Sequence, residues 1–198
     1  VVGGNVETSQ RLVDVLYGAF AKVLPAQVPA ASQGTMNNLT IGGFDQQGRP
    51  YSYYETIAGG HGAHAQGAGL SGRQSHMTNT RNTPIEAIEQ AFPFWIHTSM
   101  LRDKSGGKGQ YNGGDGVIRT YVFEKQATVT LFASRRNSTP YGLEGGACGT
   151  AGCQFKIDRH GQKEVLPDSF SLQFNEGEQL EIHSPGGGGY GVHCKDSA

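Results

Sequence analysis

Three imidazoles, those of His61, His64 and His76, fall in the single stretch 58–83. Histidine is the commonest metal ligand and the natural acid or base near neutral pH. The His61-x-x-His64 spacing suits a shared metal, but no carboxylate lies between Glu55 and Glu86 to complete the ligand set. We expect no metal on this chain; solvated or hydrogen-bonded loop histidines are the plainer reading. The stretch ends in Thr78-Asn79-Thr80-Arg81-Asn82-Thr83, five hydrogen-bonding residues around one cation. Such a cluster can orient a carbonyl, carboxylate or amide, or it can cap the helix that follows; the residues leave the two open. A second amide pair, Asn37 and Asn38, sits in another polar block flanked by small residues. Small neighbours permit close approach of a small polar ligand, and amides offer it both donors and acceptors. The expectation is that Asn37, Asn38, Asn79 and Asn82 bind substrate in one cavity rimmed by 58–72. His76, the only imidazole in either block, is then the catalytic residue, as acid/base or carbonyl polariser.

Two other constellations carry less. Cys148, Cys153 and Cys194 with His193 could form a Cys3His zinc site if the tail folds back; free thiols are the expectation. Gly186 to Gly189, with Tyr190 and Gly191, superficially suggests a phosphate loop. It lacks the Lys-Ser/Thr signature and a following helix to supply aligned N–H groups.

The elements that must position these residues are readable from periodicity. Leu12, Val13, Val15, Leu16, Ala19, Phe20 and Val23 recur at helical spacing behind an Asn5 cap, with Pro25 as the stop. That apolar stripe needs a partner surface, expected in a preceding segment or another subunit. A hairpin is expected over 39–57, and Thr83-Pro84-Ile85-Glu86 predicts a capping box opening a short helix to about Gln90. Strands are expected near 94–101, 117–124, 127–134, 154–159, 163–166, 169–174 and 179–183. With no βαβ alternation, the fold class is α+β: mostly antiparallel β, an N-terminal amphipathic helix, a second short helix and glycine-rich loops. The 26 residues of 58–83 form a loop too long to be a simple connection, and we expect it to be the active-site loop of a single unit spanning 1–198.

Composition narrows the class. There are 16 Lys and Arg against 17 Asp and Glu, so nothing argues for nucleic acid or an anionic membrane as partner. No run of about 20 apolar residues is present, the first residues do not resemble a signal peptide, and three cysteines make no disulfide framework; a cytoplasmic location is expected. The 31 glycines come in short clusters between strand-like segments, and tight turns are the expected use of most.

Seven blocks carry a family resemblance: GGNVETSQRLVD (3–14), PAASQGTMNNLT (29–40), YYETIAGG (53–60), HMTNTRNTPIE (76–86), SGGKGQYNGGDGVIR (105–119), SRRNSTPYGLEGG (134–146) and SPGGGGYG (184–191). Together and in order they resemble the C-terminal part of hydantoinase B-type subunits, a family that includes the C-terminal half of 5-oxoprolinase. The large subunits of acetone and acetophenone carboxylases are more distant relatives. The resemblance implies a component of an ATP-dependent cyclic amidohydrolase; a subunit of a ketone carboxylase, or a structural subunit completing another chain, are the alternatives. It implies ATP and Mg at a partner, the hydantoinase A-type subunit, and a small-molecule substrate. It also implies an N-terminal B-type segment, separate or lost, whose Asn-Asp-Pro-Tyr and Gly-Gly-x-His residues are the place for a divalent metal. Without that segment the chain is expected to be inactive by itself. Two departures stand out: Ala68-Gly69 and Gln74-Ser75-His76 replace the family's Asp-Gly and His-Thr-His, so of those residues only His76 carries over.

Overall fold

The computed structural model describes residues 6–192. Two helices, α1 (Val6–Phe20) and α2 (Ile85–Ala91), accompany nine strands: β1 (Asn38–Phe44), β2 (Pro50–Thr56), β3 (Phe94–Arg102), β4 (Gly116–Phe123), β5 (Ala127–Phe132), β6 (Cys153–Ile157), β7 (Lys163–Val165), β8 (Ser169–Phe174) and β9 (Gln179–His183). One antiparallel sheet has the order β2-β1-β5-β8, the other β3-β4-β9-β6-β7. The class is the α+β expected.

Strand alternation builds the core between the sheets. Leu39 and Ile41 of β1 and Val129 and Leu131 of β5 meet Tyr121 and Phe123 of β4 and Leu180 and Ile182 of β9, all at most 1% exposed. Phe94 completes the layer with ring contacts to Tyr53, Tyr121 and Phe123. Each such burial stabilises by roughly 1.5–3 kcal/mol. The core also holds one ion pair, Arg119 Nε to Glu55 Oε2 at 3.3 Å, with the Tyr121 hydroxyl donating to the same oxygen at 2.6 Å. A buried pair of this kind adds little net stability but is costly to break.

Local expectations need two corrections. The second helix starts one residue later than the capping-box reading: Pro84 is its N-cap, with ψ 137°, and no side chain caps it. Proline's fixed φ and extended ψ move Thr83 outside the cap, so Glu86 cannot form the box. The first helix ends its regular bonding at Phe20, before a turn and a 3-10 segment at Pro25–Gln27; its expected Asn5 cap lies outside the described residues.

The larger correction concerns glycine. Most clusters are not turns but segments packed backbone against backbone in a bundle beside the sheets. Segment 184–191 is the hub: the amides of Gly187, Gly188 and Gly189 donate to the carbonyls of Gly114, Ala31 and Ala147 at 2.8, 2.8 and 2.9 Å. Its own carbonyls accept from Gly107, Ala63 and Leu143 at 2.8, 2.9 and 3.0 Å. A Cβ at Gly187 would overlap the His61 carbonyl, and one at Gly188 the Tyr141 carbonyl. Glycine is required because neighbouring backbones occupy the space of a side chain. The bundle fixes 58–63 and thereby His61, with His64 the next residue in the chain.

Candidate functional site

The first helix docks through its polar side. Glu7, Gln10 and Asp14 recur at helical spacing on one face and are all buried. Glu7 Oε1 accepts from Thr35 Oγ1 at 2.9 Å, and Oε2 accepts from the Met36 amide at 2.7 Å and Asn38 Nδ2 at 2.9 Å. Gln10 donates to Ser75 Oγ at 2.8 Å and accepts from the Met77 amide at 3.2 Å. Asp14 accepts from the Ser32 amide at 3.2 Å, pairs with Arg135 at 3.3 Å and lies 2.9 Å from His76 Nε2. The Tyr141 hydroxyl donates to the Asp14 carbonyl at 2.6 Å; burial, then the Asp14 charge, pushes its pKa to about 12. The opposite side of the helix faces solvent: Leu12, Val15, Leu16 and Phe20 are 54%, 65%, 54% and 52% exposed. The domain takes the polar face because the loops beneath it, 32–38 and 75–77, present unpaired donors rather than apolar surface.

Between this helix and the bundle lies a cleft of about 250 Å³ whose wall includes Tyr17, Ser32, His61, His64, Ser75 and His76. The three histidines of 58–83 therefore share one cleft. His76 counts as an exposed residue, yet its side chain keeps only 12% of its exposure and stacks edge-on with Tyr17. Partners assign the tautomers. Asp14 can only accept when ionised, so Nε2 of His76 carries a proton, and in the neutral imidazole Nδ1 then keeps a lone pair. His61 Nε2 likewise faces the Gln74 carbonyl at 2.8 Å, leaving Nδ1 as its acceptor. His64 Nδ1 accepts from the Gln66 amide at 3.2 Å, so its proton is on Nε2. Among the described residues no group of three His, Cys, Asp or Glu is arranged to hold a metal.

The four asparagines fall outside this wall. Asn37, fully buried at φ 48°, donates to Gln33 Oε1 and the Ile57 carbonyl, both at 3.0 Å, and accepts from Arg136 at 2.9 Å. Burial lowers the pKa of that guanidinium to about 10. Asn38 joins Glu7 to Tyr54, whose hydroxyl donates to it at 2.7 Å. Asn82 donates to the Thr56 carbonyl at 3.0 Å. The ends of the two polar blocks thus meet at Thr56–Ile57, and Asn79 is exposed on the loop. Residues the sequence reading passed over are Asp14, Gln10, Ser75 and Tyr17. Their signal was present: Glu7, Gln10 and Asp14 form a polar stripe on the helix opposite the apolar one.

The remaining motifs resolve simply. Every amide from Gly186 to Gly191 donates to a backbone carbonyl in the bundle, so none is available to a phosphate. Cys148 is an exposed free thiol and Cys153 a half-buried one, its pKa raised chiefly by burial; His193 and Cys194 lie outside the described residues. Among the described residues no helix is long and apolar enough to cross a membrane.

The model of the hydantoinase B/oxoprolinase family matches residues 1–193. The chain is 44% identical over 191 residues to 5-oxoprolinase 1 of Arabidopsis thaliana, covering 96% of this chain and 14% of that protein. It resembles the crystal structure of an ATP-dependent caprolactamase from Pseudomonas jessenii with a TM-score of 0.73 at 25% identity, covering 88% of this chain and 32% of that one. A nucleotide-free acetone carboxylase shares the fold, with a TM-score of 0.69 at 20% identity over 93% of this chain and 30% of that one. The chain therefore spans a third or less of each of these proteins.

Proposed function

Since the chain belongs to the hydantoinase B/oxoprolinase family, we propose that it is the pocket-shaping component of an ATP-dependent cyclic amidohydrolase, which opens an activated ring amide. The observation that carries this reading is His76 in the wall of the cleft, held from behind by Asp14, on a chain whose relatives include an oxoprolinase and whose fold neighbours include a caprolactamase. An amide resists hydrolysis because its carbonyl is resonance-stabilised; coupling to ATP converts the carbonyl oxygen into a better leaving group. The glycine segment 186–191 does not fit a nucleotide, since its amides are engaged. In this reading, as the family resemblance implies, ATP and Mg sit at a hydantoinase A-type partner, and a divalent metal, where used, in an N-terminal B-type segment. This chain's own part is to hold the ring amide, with His76 as the acid/base or carbonyl-polarising group. Asn37 and Asn38 shape the pocket by fixing the loops beneath it. The exposed Asn79 and Asn82 are open to substrate or to a partner chain.

The test is reconstitution of the chain with its A-type partner and the N-terminal B-type segment, assayed for ring opening coupled to ADP release. His76→Ala is expected to lower turnover about tenfold or more with the complex intact, the scale of one lost transition-state interaction. Ring opening without ATP, or unchanged turnover in an intact His76→Ala complex, would refute the assignment.

A further inference from the structure

Two neighbouring groups in the cleft wall are complementary and unused. Ser75 Oγ accepts the Gln10 amide at 2.8 Å, and its own proton has no acceptor among the described residues, although the residue is only 6% exposed. His76 Nε2 is held by Asp14 at 2.9 Å, which in the neutral imidazole leaves Nδ1 as an acceptor, also without a partner among the described residues. A buried hydroxyl proton left unsatisfied carries a free-energy penalty that a ligand would relieve. From these we infer that Ser75 and His76 read the N–H/C=O edge of a cis amide: the hydroxyl donates to the carbonyl oxygen, and Nδ1 accepts from the amide N–H. This deepens the proposed function and rests on it for the identity of the substrate.

The selectivity follows from peptide geometry. An open-chain secondary amide is trans, with N–H and C=O pointing in opposite directions. A small lactam, imide or hydantoin is held cis by its ring, so both groups lie on one edge. Adjacent side chains in one wall can meet both groups only in the cis form. Asp14 is then a positioning residue that touches no substrate and acts by fixing the imidazole tautomer. Asparagine at this position could turn its N–H2 toward Nε2, move the imidazole proton to Nδ1 and convert the acceptor into a donor.

The assembled enzyme, labelled with 15N-histidine, provides the test. 2-Pyrrolidinone, N-methyl-2-pyrrolidinone and N-methylacetamide serve as cis, N–H-less and trans probes, their affinities read by ligand-observed NMR and the tautomer by imidazole 15N signals. The cyclic N–H probe is expected to bind about tenfold or more tightly than either of the others, one hydrogen bond's worth. Ser75→Ala and Asp14→Asn should abolish that preference, Asp14→Asn with the proton moved to Nδ1. His76→Asn, which puts an amide oxygen near the place of Nδ1, should restore much of the preference lost in His76→Ala. Equal binding of the three probes, or an unchanged tautomer in Asp14→Asn, overturns the inference. If ring opening with ATP persists under equal probe binding, the amidohydrolase reading stands and only the edge recognition falls. If the probe pattern holds but no ring amide is opened, the activity falls and the recognition stands.

Discussion

Alanine at Gly187 is expected to leave no folded protein, whereas alanine at Gly42 is expected to change stability by about 1 kcal/mol or less. Gly187 lies at the hub of the glycine bundle, where an added Cβ would overlap the His61 carbonyl. The overlapping atom is backbone, itself held by the Gly114 amide at 2.9 Å, so no side chain can swing aside. Relieving the clash would separate Gly187 from both Gly114 and Gly107 and open the bundle, breaking several buried hydrogen bonds at about 1 kcal/mol or more each on top of an overpacking cost of about 1–3 kcal/mol. Gly62, whose Cβ would meet the Ala30 carbonyl, should behave in the same way. At Gly42 the nearest backbone atom would stand 3.6 Å from the new Cβ, an ordinary contact. Soluble yield and circular dichroism of the three alanine variants decide the matter. A Gly187→Ala protein that melts cooperatively near the wild-type temperature would show that the bundle tolerates side chains.

The second large effect inverts the usual rule for an amphipathic helix. Glu7→Ala is expected to destabilise the chain by at least about 3 kcal/mol, while Leu16→Ser and Phe20→Ser leave its fold unchanged and reduce its self-association. Glu7 is 2% exposed and accepts from Thr35, Met36 and Asn38; removing its carboxylate leaves the buried Thr35 hydroxyl and Met36 amide without that acceptor. Hydrogen bonds to a charged group contribute about 1.5–3 kcal/mol each, and their loss leaves the desolvated partners unsatisfied. Leu16 and Phe20, in contrast, are more than half exposed and touch no core. A contiguous exposed apolar stripe favours association in water. Urea unfolding of Glu7→Ala in the Leu16→Ser/Phe20→Ser background isolates the buried-face term, and light scattering of the background itself reads the exposed one. A wild-type midpoint for Glu7→Ala, or a loss of fold in the serine variants, would mean that the helix docks by its apolar side.

The sequence by itself determined the elements and the family. Strand alternation located all nine strands to within about three residues, because a half-buried strand has to place apolar side chains on one face. The seven ordered blocks identified the hydantoinase B lineage, and the three histidines of 58–83 were legible as one cluster. Tertiary structure decided the rest. Periodicity shows that α1 has two faces but not which one meets the domain; that depended on unpaired amides and hydroxyls in loops up to 70 residues away in sequence. The same long-range pairing made Asp14, a residue the sequence reading passed over, the partner of His76 across 62 positions. Glycine spacing is alike in a turn and in a packed backbone, since what excludes a side chain at Gly187 is the carbonyl of His61, more than a hundred residues distant. Contacts of this range follow from how sheets and bundle enclose one another, and no local pattern encodes them.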